Sequence, residues 1–425
     1  MQYGILKDKN FLLLMFGKIT SLVGSSMQNF ALSLFVLATT GSATKFASIL
    51  AVSIIPQLII GPFAGVFVDW FYRKKLLIFL DFLSGSIATF FTAIYLIKGE
   101  MPLGYIYVLV ILLSVISTIF QPALQTIIPT IVNKDELVNA NSVNSLVMAL
   151  GSLLAPVLAG ICYGAFGLKI IFIINAVTFF ISSFSECFLN IPRVNEAKEK
   201  MNFQLFKKDF TDGLKYTFSN KPVTIIVTLA MILNFTLYAA QIGETFLCKQ
   251  ILKLSDFQYG LTQSMMVASM MIASVITPFL SKKYSLGKNV YLSLLFTGVT
   301  VCLCAIVSMD IFINAFASNF IPFIFVMILC FFIGLLLGIA NIFIAIYFQS
   351  IIPLDYMGRV GTVQNTLCML AMPLSSILSG FLFDRIPASI IFIFSGILTI
   401  IPVLIYKNLL VSIDMDSKVE SNLSK

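Results

Sequence analysis

A chain of 425 residues that is 59% hydrophobic and only 11% charged carries more apolar surface than a soluble core of that size can bury, and its mean hydropathy is +1.00. Such a composition excludes a soluble globular protein and points to a polytopic membrane protein. The net charge of +8 is scattered through short loops, with no basic patch interleaved with aromatics, so it reads as membrane orientation and no nucleic-acid partner is expected.

Histidine is absent, which removes the commonest metal ligand and the commonest general base together. Ser-His and metallohydrolase chemistry are excluded with it, no cofactor or metal is expected, and an enzyme is not indicated. Seven cysteines form no C-x-x-C pair and fall mostly within apolar runs, where they read as small packing residues. No Walker-type G-x-x-x-x-G-K-S/T occurs, so ATP-driven pumping would need a separate subunit. Residues 1–10 carry Lys7 and Lys9 but no small-residue cleavage site after a short apolar stretch, so the first helix is expected to be retained.

Taken in order, the chain shows twelve apolar stretches long enough for a membrane helix, which needs about 20 residues. Six run roughly over 11–38, 44–68, 76–97, 102–126, 141–165 and 170–190, and six over 222–247, 258–281, 290–309, 320–348, 363–383 and 389–407. The predicted organisation is an all-α membrane protein. It has an N-terminal six-helix bundle (1–190), a cytoplasmic linker (191–221), a C-terminal six-helix bundle (222–407) and a cytoplasmic tail (408–425). The connections on one side, with both termini, hold 20 of the 27 Lys and Arg, and those on the other side hold 6, leaving Lys18 inside the first span. Both termini are therefore predicted cytoplasmic. The linker carries a periodic Phe203, Phe206, Phe210 and Leu214 set among charges, which reads as an interfacial amphipathic helix.

An internal repeat organises these spans. Gln125-Thr-Ile-Ile-Pro129 recurs as Gln349-Ser-Ile-Ile-Pro353, each ending the fourth span of its half. Ser142-Val143 answers Thr362-Val363, Gly151 answers Ala371, and Leu158-Ala-Gly160 answers Leu378-Ser-Gly380. The matches include polar, proline and glycine positions that hydropathy does not demand, so two halves related by duplication are expected.

Polar residues inside a bilayer are costly unless they face protein or water, so their angular placement is informative. Stripes at helical spacing run along the first span (Lys18, Ser21, Ser25, Gln28, Asn29), the fourth (Ser114, Thr118, Gln121, Gln125), the seventh (Asn234, Tyr238, Gln241, Thr245) and the tenth (Gly334, Gly338, Asn341, Ala345, Gln349). Every third span of a six-plus-six arrangement is thus polar on one face. That regularity points to a water-accessible cavity lined by Lys18, Gln28, Asn29, Gln121, Asn234, Tyr238, Gln241 and Asn341, the alternative being interhelical hydrogen bonding that holds the bundle together. Four charges lie in or near the spans. Lys18 either contacts an anionic group or snorkels to the headgroups. Asp81 lies seven residues beyond Lys74 and is expected to pair with the loop bases as a gate. Glu186 reads as an interfacial residue. Glu244, one turn past Gln241, is the candidate for proton coupling at a cavity mouth.

Two local motifs complete the reading. Between the second and third spans an apolar run ends in an acid and three bases, with Gly61, Gly65, Asp69, Arg73, Lys74 and Lys75 in order. The two glycines lie on one helix face and permit close approach of a neighbour, and the bases alone would serve as a positive-inside anchor. In the fifth span Gly151, Ala155, Pro156, Ala159 and Gly160 form a small-residue seam with a proline bend.

The first motif resembles the G-x-x-x-D-x-x-x-R-K-K loop of major facilitator transporters, with Trp70 and Tyr72 standing where that family usually has a base and a glycine. The second resembles the G-x-x-x-G-P-x-x-G-G antiporter motif of the family's exporters, with alanine at two glycine positions. The stretches Ser21–Gly41, Gln121–Ser142 and Gly358–Arg385 look most like the bacterial branch that contains macrolide-efflux and siderophore-export carriers. The resemblance implies a monomeric secondary transporter of the bacterial cytoplasmic membrane, surrounded by lipid. It would export amphipathic small molecules by alternating access, driven by protons or another coupling ion. It further implies that Gly65, Asp69, Arg73, Lys74, Lys75 and Asp81 form a cytoplasmic latch, and that Gly151, Ala155, Pro156 and Gly160 limit leakage. A siderophore or metabolite exporter, a gradient-driven nutrient importer and a non-transporting sensor or scaffold are the alternatives.

Overall fold

The computed structural model describes residues 7–191, 203–408 and 410; within these, the side chains of Val66, Asp69 and residues 203–206 are left out of the description. The helices, in chain order, are α1 (Lys9–Thr40), α2 (Ala43–Asp69), α3 (Arg73–Lys98), α4 (Leu103–Ile131), α5 (Leu137–Cys187), α6 (Phe203–Ser219), α7 (Lys221–Phe246), α8 (Asp256–Lys283), α9 (Leu286–Val307), α10 (Asp310–Asn314), α11 (Phe320–Ile351), α12 (Leu354–Phe383) and α13 (Ala388–Ile405).

Among the described residues eleven helices are long and apolar enough to cross a membrane. One of them, α5, has 51 residues. At 1.5 Å per residue a straight helix of that size would run roughly 77 Å, more than twice a hydrocarbon core of about 30 Å. It is two helices meeting at Gly167, whose φ of 69° and ψ of −166° are closed to residues with a Cβ. Counting its halves separately gives twelve spans, and their order matches the twelve apolar stretches of the sequence. Local chemistry sets several ends. The carboxylate of Asp8 accepts from the Phe11 N–H at 2.8 Å to start α1, and left-handed glycines, Gly41 and Gly99, close α1 and α3.

The chain divides into two compact units. Unit 1 holds the described residues of Met1–Gly41, Ile49–Met201 and Ser255–Gly260, and unit 2 those of Ser42–Ser48, Asn202–Leu254 and Leu261–Lys425. In unit 1, α5 lies against both α1 and α3. Small residues allow this approach: a Cβ on Gly17 would stand 2.7 Å from Ser185 Oγ, and one on Gly24 would collide with Thr178. Phe11, Leu14, Leu77 and Leu124 fill one core cluster of this unit, and Leu32, Ile106, Leu109 and Phe172 another. In unit 2, α11 meets α8 through Gly334 and Gly338, and α9 meets α13 through Gly298 and Gly396.

The repeated glycines do the same work in each half. Gly160 of α5 faces the backbone of Asp256 and Phe257 at the start of α8, and Gly380 of α12 faces Ala43 and Thr44 at the start of α2. Each short segment therefore groups with the unit that supplies its glycine. At the second of these places Asp384 adds a cap. Its carboxylate accepts from the N–H groups of Ala43 (2.7 Å) and Thr44 (3.0 Å) and from the hydroxyls of Ser42 (2.7 Å) and Thr44 (2.6 Å). These are the orphan donors of the first turn of α2.

The amphipathic segment of the predicted linker is helical as α6, and α12 accompanies it. Arg359 Nε meets Asp209 Oδ1 at 2.9 Å, and the rings of Tyr216 and Tyr356 stack at 4.3 Å. A Cβ on Gly213 would stand 2.7 Å from the Arg359 carbonyl oxygen. Interfacial placement alone does not account for this helix, because one of its faces is committed to protein. The tail after 410 and linker residues 192–202 lie outside the described residues.

Candidate functional site: a polar cavity in unit 1 and a buried acid in unit 2

Unit 1 contains an open cavity of about 240 Å³. Four of the predicted cavity residues line it, Lys18, Gln28 and Asn29 from α1 and Gln121 from α4, with Ser21, Ser25, Ser114 and Ser117 on the same two helices. Lys18 is only 6% exposed and donates from Nζ to Asn144 Oδ1 at 2.5 Å. It therefore points into protein and does not snorkel to a surface. Gln28 is held in place by α5, its Oε1 accepting from Asn175 Nδ2 at 2.7 Å. Ser53 and Gln57 of α2 and Ser84 of α3 also line the space. The sequence reading missed these three, although Ser53 and Gln57 lie four apart and Asp81 and Ser84 three apart inside apolar spans, the spacing that marks a polar face.

Asp81 is placed differently from the expectation. It lines this cavity, is 2% exposed and sits beside Ser182 and Glu186 of α5, not against Arg73, Lys74 or Lys75. Those bases have other partners: Arg73 Nη1 donates to the Thr126 carbonyl at 3.3 Å and Lys74 Nζ to the Cys187 carbonyl at 2.9 Å, while Lys75 is exposed. Glu186 is likewise not interfacial. It is 1% exposed, because the second half of α5 turns that face toward α1 and α3. Gly61 and Gly65 meet no neighbour either, since a Cβ at each would have nothing within 4 Å. The side chain of Asp69 lies outside the described ones.

The seam on α5 is closely packed. Ala155 and Ala159 are buried, a Cβ on Gly151 would stand 2.6 Å from Leu22 Cδ2, and the Pro156 carbonyl faces Gly260. The helix runs through Pro156 without leaving helical geometry, and the one non-helical residue of α5 is Gly167.

In unit 2 a second, much smaller cavity, of about 30 Å³, is lined by Gln241 and Glu244 of α7 with Met266, Cys304, Cys330, Ile333 and Phe392. Glu244 is half-buried beside Thr262 and Cys330, with its Oε1 buried and unpartnered. Asn234, Tyr238 and Asn341 line neither of these two cavities. Asn234 Nδ2 turns back to the Ala230 carbonyl at 2.9 Å, Tyr238 is half-buried and Asn341 is exposed. Among the described residues no group of three or more His, Cys, Asp or Glu is placed to hold a metal ion.

Twelve apolar spans with an open cavity of polar side chains fit a membrane transporter. The chain belongs to the Major Facilitator Superfamily, whose family profile matches residues 14–376. It is 22% identical over 387 residues to macrolide efflux protein A of Streptococcus pyogenes, covering 90% of this chain and 92% of that protein. To the staphyloferrin A transporter of Staphylococcus aureus it is 23% identical over 288 residues, covering 66% of this chain and 69% of the other. Among solved structures, a bacterial homologue of the iron transporter ferroportin in its inward-facing state superimposes with a TM-score of 0.71 at 18% identity, covering 96% of this chain and 99% of that one. That likeness concerns the fold.

Proposed function

We propose that this transporter exports amphipathic small molecules of the macrolide type across a bacterial cytoplasmic membrane, as a monomer working by alternating access in exchange for protons. The observation that carries the reading is the cavity of unit 1. Its lining offers hydroxyls, amides, one cation, Lys18, and one acid, Asp81, beside apolar Leu113, Ile116 and Phe120. Such a surface accepts a large ligand with both polar and apolar faces. The length over which the chain resembles macrolide efflux protein A, and the small-residue seam around Pro156, support the direction. In this reading Asp69, Arg73, Lys74 and Lys75 latch the cytoplasmic side, Gly151, Ala155, Pro156 and Gly160 form a low-leak seam, and Glu244 is a proton-coupling acid.

A second reading, export of a siderophore or another anionic metabolite, is favoured by one feature, the placement of Lys18 on the cavity wall. A carboxylate-bearing ligand would find its counter-charge there.

The test is accumulation of a radiolabelled macrolide in a pump-deficient bacterium producing the full chain, with and without a protonophore and beside Asp69→Asn. Export predicts several-fold lower accumulation, restored both by the protonophore and by the substitution. Unchanged accumulation in cells that carry the protein in their membrane removes the macrolide assignment and leaves the anionic-metabolite reading, while raised accumulation indicates uptake. Unaltered efflux by a well-produced Asp69→Asn protein removes the latch.

A further inference from the structure

Five buried side-chain atoms lack a hydrogen-bond partner among the described residues: Asp81 Oδ2, Asn175 Oδ1, Ser182 Oγ, Glu186 Oε2 and Glu244 Oε1. Four of the five lie in unit 1. Asn175, Ser182 and Glu186 are spaced at i, i+7 and i+11, which is one face of the second half of α5, and Asp81 faces them from α3. Buried polar atoms are normally paired, so a run of unpaired ones on a single face calls for a partner that the neighbouring side chains do not supply. The two carboxyl groups define what that is. Asp81 is 2% exposed and Glu186 1%, and both are buried where α3 packs on α5. Two carboxylates side by side in a medium of low dielectric repel strongly when both are ionised, whereas one proton between them removes the repulsion and supplies the missing donor.

The surroundings offer no permanent cation that would serve instead. On α1, Lys18 gives its ammonium to Asn144. On α3, Lys74 gives its own to the Cys187 carbonyl, and Arg73 donates to the Thr126 carbonyl of α4. Residues 103–131 of α4 contain no Asp, Glu, Lys or Arg, and the titratable neighbour on α5 itself is Cys187. The pair is not sealed, because Asp81 also forms part of the cavity wall. The packing around it is close: Gly17 of α1 abuts Ser182 and Ser185, and Ser183 Oγ donates to the Ile78 carbonyl at 3.1 Å, tying α5 to α3 one turn from Asp81.

We propose that Asp81 and Glu186 form a proton-binding pair, with Ser182 beside Asp81, that takes up and releases one proton through the cavity of unit 1. Release breaks one carboxyl O–H bond and passes the proton to water in the cavity, leaving both carboxylates ionised with the Lys18 ammonium on the same wall. Uptake is the reverse. The inference deepens the proton-exchange part of the proposed function and places a second acid site in the half of the chain without Glu244.

The experiment uses the full chain in lipid nanodiscs with no substrate present. Infrared difference spectra across a pH titration follow the C=O stretch of protonated carboxyl groups, for the wild type and for Asp81→Asn, Glu186→Gln, the double variant and Ser182→Ala. The expected result is a buried carboxyl band in the wild type that disappears on alkalisation. Either single substitution should convert its broad, coupled titration to a single-site curve, the double variant should lose the band, and Ser182→Ala should shift its frequency with both acids retained. Survival of the band in the double variant, or titration curves unchanged by either single substitution, overturns the pair. Ser182→Ala keeps the test open should an acid variant fail to fold, and a frequency unmoved in that variant likewise counts against the pair. Export plays no part in this readout, so a failed accumulation assay leaves the proton site standing and an absent band leaves export standing.

Discussion

Lys18 shows how one side chain sets the character of a site. A charged group inside a helix bundle is costly unless it is paired or wet, and Lys18 is both, bonded to Asn144 and standing on the wall of an open cavity. Glu244 meets a drier environment among Thr262, Cys248, Cys304 and Cys330. Replacing it by Gln preserves the shape and removes the exchangeable proton. Glu244→Gln is expected to leave the protein folded and to flatten the pH dependence of transport, measured as efflux rate against external pH in everted vesicles; a pH profile identical to the wild type would assign coupling elsewhere. The stripe on α1 was legible at this scale because polar residues recurring at helical spacing inside an apolar span are costly unless that face meets water or protein. The burial of Asp81 and Glu186 was not legible, since a carboxylate near the end of a span looks the same in sequence whether its helix face meets water or another helix.

Helices meet where their glycines allow it, and the repeat in the sequence has a structural counterpart in the pairing of Gly160 with the start of α8 and of Gly380 with the start of α2. Asp384 strengthens the second pairing. Burial alone pushes its carboxyl upward, but hydrogen bonds from the Thr44 and Ser42 hydroxyls and from the Thr44 and Ala43 N–H groups outweigh it and hold the group below the usual carboxylate range. A carboxylate held down in this way contributes stability that is fully present above its unfolded value and is lost as pH falls through the lower, folded value. Asp384→Asn should therefore lower the thermal midpoint of the detergent-solubilised protein at neutral pH, through loss of the charge that strengthens the cap. The difference between variant and wild type should vanish in acid. A difference that persists at low pH would show that the cap acts through something other than its charge. The companion glycines were visible as repeated letters. Their partners were not, because nothing local links residue 160 to residue 256 or residue 380 to residue 43.

At the scale of the whole molecule, the strong bias of Lys and Arg, 20 on one set of connections against 6 on the other, bears on orientation. Because cytoplasmic loops retain basic residues, a green fluorescent protein fused after Lys425 should fluoresce and an alkaline phosphatase fused there should be inactive. The opposite pair of results would invert the topology and with it the side on which Asp69 acts.

The sequence by itself determined the membrane class, the number and order of the spans, the duplication and the polar faces of α1 and α4. Each of these follows from composition and periodicity, which a bilayer enforces residue by residue. Tertiary structure alone decided which polar residues share a space. It brought Lys18, Gln28, Asn29 and Gln121 together with Ser53, Gln57, Ser84 and Asp81, left Asn234, Tyr238 and Asn341 off both cavity walls, and set Asp81 beside Glu186. The reason is rotational. Hydropathy sets how deep a helix lies in the membrane, but the angle at which it faces its neighbours is set by close contacts such as Gly17 on Ser185 and Gly24 on Thr178, which join residues more than a hundred positions apart.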